Sequence, residues 1–440
     1  MGKASINGNL APGVVKVNRS VPEIVHPVHD TNSGECYYLS NLDQNIAVIM
    51  KTVHLYKTTE KSSDDIFSVL KESLSKVLVH YYPYAGSLTL SQEGKLIVKI
   101  DGHGVPFVEA ETDCELATLG DMSIPDPDKL GDLIYVDPTA KNILEMPLLS
   151  VQVTRFKCGG FSIGLALNHC MSDGLSAVQF LHSWAETTRG LPLSISPFID
   201  RSIQKARQPP KIEFVHHEFT EIEDISNLAG LYTNEPIEYN AFTFDEKKLL
   251  RLKQIVVEDG VVENCTSFVA LTAFIWRART EALKMSPDQQ TKLLFSIDGR
   301  SRIKPPLPKG FWGNAIVLAC CMCRAEELVN KPLSSIVQLI QEAIEMTDDA
   351  FIRSAIDYIE ITRATASLAA TLLVTSWTRL GFNTSDFGWG EAFYSGSAEL
   401  PEKEVVVFLP QAKDSKSIVV VMGLPSSSMK TFQNIVAQLA

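Results

Sequence analysis

The chain has 440 residues, about three times the usual single-domain length, so two domains of roughly 200 residues or one large α/β unit are both allowed. With 45% hydrophobic and 21% charged residues it has the composition of a folded protein with a large core. A net charge of −12 supplies no broad basic face, which argues against a general binder of nucleic acid or anionic membrane and leaves room only for a local basic pocket.

Residues 12–30 are punctuated by prolines and read as a segment lying along the surface. In SSDDIFSVLKESLSKVLVHYYP, Ser62 or Ser63 suits an N-cap and Asp64 and Asp65 suit the first turn. Ile66, Val69, Leu70, Leu74, Val77 and Leu78 form one apolar face, and Pro83 ends the helix. Short strands follow at LTL, KLIVKI and VPFVEA, separated by QEG and DGHG turns. Residues 149–157 alternate as a strand, FSIGLALNH reads as a buried one, and DGLSAVQFLHSWAETTRG as a helix ending at Gly190 and Pro192. Residues 191–217 are proline-rich and form the linker candidate. Beyond them come strand NAFTF, a helix over 266–283, strands LLFSIDGR and AIVLACCM around a proline turn, and helices near 334–347 and 351–364. Strand TLLVTSW, the DFGWG loop, strands EVVVFLP and SIVVVMGLP and a last helix complete the chain. Both halves mix strands and helices, so the fold class is α/β with two domains, 1–190 and 218–440, joined by the crossover 191–217.

The eight cysteines follow no paired rhythm, and ACCMC lacks metal-site spacing, so these thiols read as small reduced hydrophobes in a strand. No signal peptide and no 18-residue apolar span occurs, which points to a soluble, cytosolic, monomeric protein.

Candidate chemistry centres on NHCMSDG, where His169 precedes Asp173 by four positions. The same spacing recurs at His26 and Asp30, so spacing alone carries nothing. Context separates the two: His169 ends a buried strand and Asp173 opens a helix, the strand-to-helix edge at which α/β folds hold ligands, whereas His26 lies beside Pro27 in a surface segment. A histidine there can take the proton of a hydroxyl or amine attacking an activated carbonyl, and Asp173 would orient the ring or brace the turn. The bland alternative is a core histidine satisfied by a backbone carbonyl. Rival chemistries find little support. GGFSIG puts Ser162 one position off the nucleophile elbow, and Cys170 points away from its neighbour His169. No P-loop, HExxH, GxGxxG or EF-hand is present, and the pair His216–His217 reads as solvated linker sequence. Three further stretches stand out. SIDGRSRIKPPLPKGFWGNA is an arginine-bearing turn stiffened by prolines, LLVTSWTRL ends a strand in donors, and DFGWG packs aromatics between glycines.

Taken together, NHCMSDG, DGR with PPLPKGFWGN, and DFGWG at Asp386 resemble the BAHD acyltransferase family of plants. The likeness runs nearly end to end, through LSNLDQNIAVIM, LSKVLVHYYPYAGSL, DRSIQKARQPP and CTSFVALTAFIWRART. KNILEMP, FIRSAIDYIEITRA and LVTSWTRLGF are most similar to its hydroxycinnamoyl-CoA transferases acting on ω-hydroxy fatty acids and fatty alcohols. The resemblance implies two chloramphenicol-acetyltransferase-like domains with an active-site channel between them. It implies acyl-CoA as co-substrate, no permanent cofactor or metal, and transfer to an alcohol acceptor in a ternary complex without an acyl-enzyme. His169 matches the general base. Asp173 matches an aspartate that faces away and pairs with an arginine, for which Arg300 is the candidate. Asp386 matches the loop aspartate, and Thr375 and Trp377 fall where the family positions the acyl group and steadies the oxyanion. Thr266, Ser267, Arg300, Ser301, Arg302, Ser376, Thr378 and Arg379 lie in segments lining the CoA path.

Departures bear on the substrate. FWGN replaces YFGN, HCMSD replaces HCMFD and TRATAS replaces TRARPS, and the segment before TSW is shorter than in shikimate- or quinate-acylating members. Shikimate is thereby disfavoured. The Ser172 and Ala366 regions are expected to widen or reshape the pocket, which sets fatty acceptors in question and leaves a specialised alcohol such as an alkaloid, or an amine, open. A non-catalytic acyl-CoA-binding protein and a thioester hydrolase are the alternatives from other classes.

Overall fold

The computed structural model describes residues 15–29, 31, 34–57, 65–120, 122, 125–411 and 416–439. Among these, a seven-stranded sheet runs Asn18–Arg19, Val105–Thr112, Leu149–Phe156, Phe161–Asn168, Ile49–Tyr56 and Tyr394–Ser397, with Glu23–Val25 also paired to Val105–Thr112. A six-stranded sheet runs Ile237–Phe244, Ile418–Pro425, Val405–Pro410, Thr371–Ser376, Gln290–Asp298 and Ile316–Arg324. A small third sheet joins Cys36–Tyr38, Leu96–Lys99 and Ser87–Leu90. The fold is α/β.

Strand Phe161–Asn168 is buried at all eight positions, because both of its faces are covered. Ile163, Leu165 and Leu167 join one core, while Ala166 joins another with Leu119, Leu130 and Leu133. Gly164 allows that close packing: a Cβ there would lie 2.0 Å from the Leu133 carbonyl oxygen. Helix Ile66–Val77 buries the side of Ile66, Leu70, Leu74 and Val77 against the first core, and Trp184 of helix Gly174–Thr188 donates to Ser73 Oγ at 2.9 Å. Ser62, Ser63 and Asp64, read as its capping region, lie outside the described residues, as does Asp30; the N-cap is Asp65, with no side-chain cap bond. The second core gathers around helix Ser267–Ala282, whose N-cap Thr266 accepts from the Val269 N–H at 3.2 Å. Cys320, Cys321 and Cys323 lie in strand Ile316–Arg324 as free thiols.

Helices Leu228–Asn234, Glu246–Val257 and Ala325–Asn330 were not anticipated from the sequence. The last two carry charged residues through their apolar periodicity, and the first is a short helix. Strand Tyr394–Ser397 was also unanticipated, and it pairs antiparallel with Ile49–Tyr56 at the edge of the first sheet. Trp312, Phe382, Phe387 and Trp389, all from beyond residue 217, complete the core of the first sheet.

The crossover 191–217 is irregular apart from two short 3-10 turns, Ser202–Gln204 and His217–Phe219. It is not merely a solvated tether. His216 is buried, with Nδ1 2.8 Å from Glu218 Oε1 and Nε2 2.9 Å from Ser354 Oγ, so its reading as solvated is corrected. The polar surroundings that suggested solvent satisfy it inside the protein.

Candidate active site

His169 follows directly on strand Phe161–Asn168, and its backbone N–H donates to the Val48 carbonyl at 2.8 Å. The turn after it ends at Asp173, the N-cap of helix Gly174–Thr188, whose Oδ1 accepts from the Ser176 N–H at 2.9 Å. Arg300, from the loop after strand Gln290–Asp298, closes on Asp173 with two parallel bonds: Nη1 to Oδ2 and Nη2 to Oδ1, both 2.9 Å. The Ala315 N–H adds a further bond to Oδ2 at 3.0 Å. Burial alone would push the Asp173 carboxyl up; the Arg300 charge and these donors outweigh it and hold it below the usual carboxylate range. Every acceptor site of Asp173 therefore faces the bracket rather than His169.

A second arginine, Arg201 of the crossover, holds the same turn from the other side. It donates to the carbonyls of Cys170 and Met171, forms a fully buried ion pair with Asp43 at 3.1 Å, and lies over the rings of Tyr37 and Trp312. Gly313 is needed for this approach, since a Cβ there would sit 2.7 Å from Arg201 Nε. Neither Arg201 nor Asp43 was singled out in the sequence, although both lie in quoted stretches, DRSIQKARQPP and LSNLDQ. Arg201 falls in the stretch read as linker, and Asp43 in one noted only for its likeness to the family.

The imidazole itself is held by Asn314 of FWGNA, with Nδ1 3.1 Å from Asn314 Oδ1. Burial lowers the His169 pKa, and its own carbonyl, the Asp173 charge and Asn314 only partly oppose this, so the neutral ring prevails at pH 7. Among the described residues no side chain bonds Nε2. The arrangement supplies an oriented neutral base with one nitrogen pinned and the other available.

Thr375 and Ser376 end strand Thr371–Ser376, and Trp377, Thr378 and Arg379 form the turn after it. The Trp377 N–H donates to the Phe408 carbonyl at 2.8 Å, and its ring meets Phe382 at 5.3 Å. Ser376 and Thr378 share a 2.9 Å hydroxyl contact, while Arg379 is exposed. This turn packs on the start of helix Gly174–Thr188: a Cβ at Gly174 would lie 2.7 Å from Leu380 Cδ1. Asp386 serves its own loop, its Oδ1 accepting from the Gly388 and Gly390 N–H groups at 2.7 and 2.9 Å, with Arg189 at 3.8 Å. Phe387 stands edge-on to Trp184 at 5.1 Å and Trp389 to Phe161 at 5.5 Å, which seats the loop behind the strand that carries His169.

The remaining predicted residues divide. Arg302 caps helix Leu333–Met346 through the carbonyls of Ile344 and Thr347, both at 2.7 Å, and Thr266 is occupied as a cap with Ser267 beginning its helix. Arg300 and Ser301 border a cavity of about 450 Å³ with Leu175, Val178, Lys309 and Phe311; His169 does not line it. Ser172 is fully buried and its hydroxyl meets Tyr84 Oη at 2.9 Å, so its side chain lines no open cavity. Among the described residues no three His, Cys, Asp or Glu side chains are grouped to hold a metal, and no helix is long and apolar enough to cross a membrane.

The model of the transferase family matches residues 15–439. The chain is 53% identical to an omega-hydroxypalmitate O-feruloyl transferase of Arabidopsis thaliana over 97% of its own length and 93% of that protein. It is also 53% identical to a fatty alcohol:caffeoyl-CoA acyltransferase of the same plant, over 95% and 97%. Among solved structures, vinorine synthase superposes with a TM-score of 0.76 at 24% identity, covering 97% of this chain and 98% of that one. With one family model matching residues 15–439 and two acyltransferases 53% identical over nearly the whole chain, the chain is an acyltransferase that belongs to the transferase family, the BAHD acyltransferases.

Proposed function

We propose that the protein transfers a hydroxycinnamoyl group from CoA to the hydroxyl of a long-chain alcohol or ω-hydroxy fatty acid. The donor and acceptor classes are those in the names of the two relatives at 53% identity. The burial of Ser172 removes one reason for turning to an alkaloid acceptor.

The observation that carries the reaction is His169, pinned through Nδ1 with Nε2 unbonded. The acceptor hydroxyl meets Nε2, which takes its proton as the oxygen attacks the thioester carbonyl carbon. A tetrahedral intermediate forms with its negative charge on the former carbonyl oxygen. Thr375, whose hydroxyl has no bond among the described residues, and Trp377 steady that oxyanion. Collapse breaks the carbon–sulfur bond, and the imidazolium returns the proton to the departing thiolate, giving the ester and free CoA. Asp173 and Asp386 take no part in proton transfer; they hold the turn and the loop. Ser301, Ser376, Thr378 and Arg379 remain the candidates along the CoA path, and Arg300 and Arg302 contribute by keeping that wall in place. The domain division that accompanies this reading is 1–190 and 218–440 across the crossover.

A matrix of hydroxycinnamoyl-, benzoyl- and aliphatic CoA thioesters against long-chain alcohols, ω-hydroxy acids, alkaloid alcohols and amines, read by product mass, tests the proposal. Ester formation should be strongest with a hydroxycinnamoyl donor and a long-chain aliphatic acceptor, the classes in the two relatives' names. Preferred amide products, or thioester loss without acceptor, would overturn it.

A further inference from the structure

Asn314 is fully buried and every polar atom it has is in use. Its backbone N–H donates to Asp43 Oδ1 at 3.0 Å and its carbonyl accepts from Gln204 at 3.0 Å. Its side-chain Nδ2 lies 2.8 Å from Asp43 Oδ1 and 2.8 Å from the His169 carbonyl oxygen. Both are acceptors only, so the amide can face in just one direction: nitrogen toward them, oxygen toward the imidazole. An amide oxygen accepts and never donates. The hydrogen on the neutral ring must therefore be on Nδ1, the nitrogen 3.1 Å away.

Asp43 makes this arrangement rigid. Its other oxygen accepts from the Ser40 N–H and hydroxyl, both at 2.7 Å, and pairs with Arg201 at 3.1 Å, in a pocket closed to solvent. Swapping the amide's oxygen and nitrogen would set oxygen against the Asp43 carboxylate and the His169 carbonyl, leaving two buried acceptors facing a third.

We propose that Asn314, locked by Asp43, is a positioning residue that fixes His169 as its Nδ1–H tautomer and so keeps the Nε2 lone pair free for the acceptor proton. The inference rests on the acyltransfer reading of His169, but it concerns a property of the resting protein that is measurable without turnover. Asp173, whose carboxylate is taken up by Arg300, Ser176 and Ala315, makes no hydrogen bond to the ring; the carboxylate that acts on it, through the amide, is Asp43 of a different segment.

The test uses full-length protein labelled with ¹⁵N-histidine, the His169 ring signals being assigned by their loss in His169→Ala. The wild-type ring should carry its proton on Nδ1 at neutral pH; a proton on Nε2 overturns the proposal, and this measurement needs no variant of Asn314. Asn314→Ala leaves only the ring's own backbone carbonyl to accept from Nδ1–H, so the share of the Nε2–H form should rise and kcat should fall, at most by the roughly 100-fold scale of general-base catalysis, with KM for both substrates little changed. A fall in kcat with the tautomer unmoved would make Asn314 merely structural and also overturns it. Failure of the reading beneath is distinguishable: His169→Ala would then turn over like wild type, whatever the tautomer.

Discussion

At the scale of single residues, the acyl transfer proposed above rests on His169 and the atoms that touch it. Removing the imidazole should lower kcat by about 100-fold or more while the thermal midpoint stays within a degree or two of wild type, because the ring is at the edge of the core and holds no buried charge. Steady-state kinetics beside a melting curve checks both halves; retained turnover would end the base assignment. The pH profile follows from the lowered His169 pKa. The base works in its neutral form, so activity is lost as pH falls through the folded value, which lies below the ordinary histidine value of about 6.5. The acid limb of kcat/KM should accordingly fall under that value, and a limb above it would contradict the burial described. His169 was legible in the sequence because a buried strand ends there. Asn314 was not, although FWGN was quoted: amides are common, and only the fold shows that this one lies 3.1 Å from the ring.

At the scale of elements, the turn 169–173 is a short connection made rigid by partners that are distant in sequence. Asp173→Ala strips Arg300 of its carboxylate in a site where the arginine side chain is 18% exposed and the aspartate 1%. A loss of about 3 kcal/mol, read by chemical denaturation, is expected together with lost activity. The sign of its pH dependence is set by the lowered Asp173 pKa: the contribution is present above about pH 3.9, the unfolded value, and disappears as pH falls through the lower folded one. Acid denaturation of wild type should therefore show a component missing from Asp173→Asn. Asp386→Ala frees the Gly388 and Gly390 N–H groups and should cost about 1–2 kcal/mol, with activity lost along with the loop's seating of Phe387 and Trp389. An Asp386→Ala protein that is inactive yet equally stable would instead give that carboxylate a direct chemical part. Most strands and long helices could be read from periodicity. The short strand Tyr394–Ser397 could not, since YSGS has no apolar alternation and is held by its backbone pairing with Ile49–Tyr56.

At the scale of the molecule, the two halves are not independent. The second half supplies the edge strand of the first sheet and four buried aromatic side chains, Trp312, Phe382, Phe387 and Trp389, to its core. Residues 1–190 expressed alone should lack a fixed tertiary structure, visible as lost near-ultraviolet dichroism and self-association in size-exclusion chromatography, because an unpaired sheet edge and an unfilled core are both left open. A monomeric, well-dispersed fragment would contradict this. The sequence division at 190 and 217 follows composition and proline content, which report local chain behaviour and are silent on long-range exchange of strands and aromatics.

The crossover arginine also limits how relatives of this protein can be recombined. A chimera joined at residue 190 inherits Asp43, His169 and Asp173 from one parent and Arg201, Arg300 and Asn314 from the other, so the Asp43–Arg201, Asp173–Arg300 and His169–Asn314 contacts are all newly matched across the junction. Substrate preference is therefore better transplanted by exchanging the surface of the cleft than by exchanging halves: the scaffold of charges around the histidine behaves as a single inherited unit, and the joints that look most convenient in the chain are the ones that cut through it.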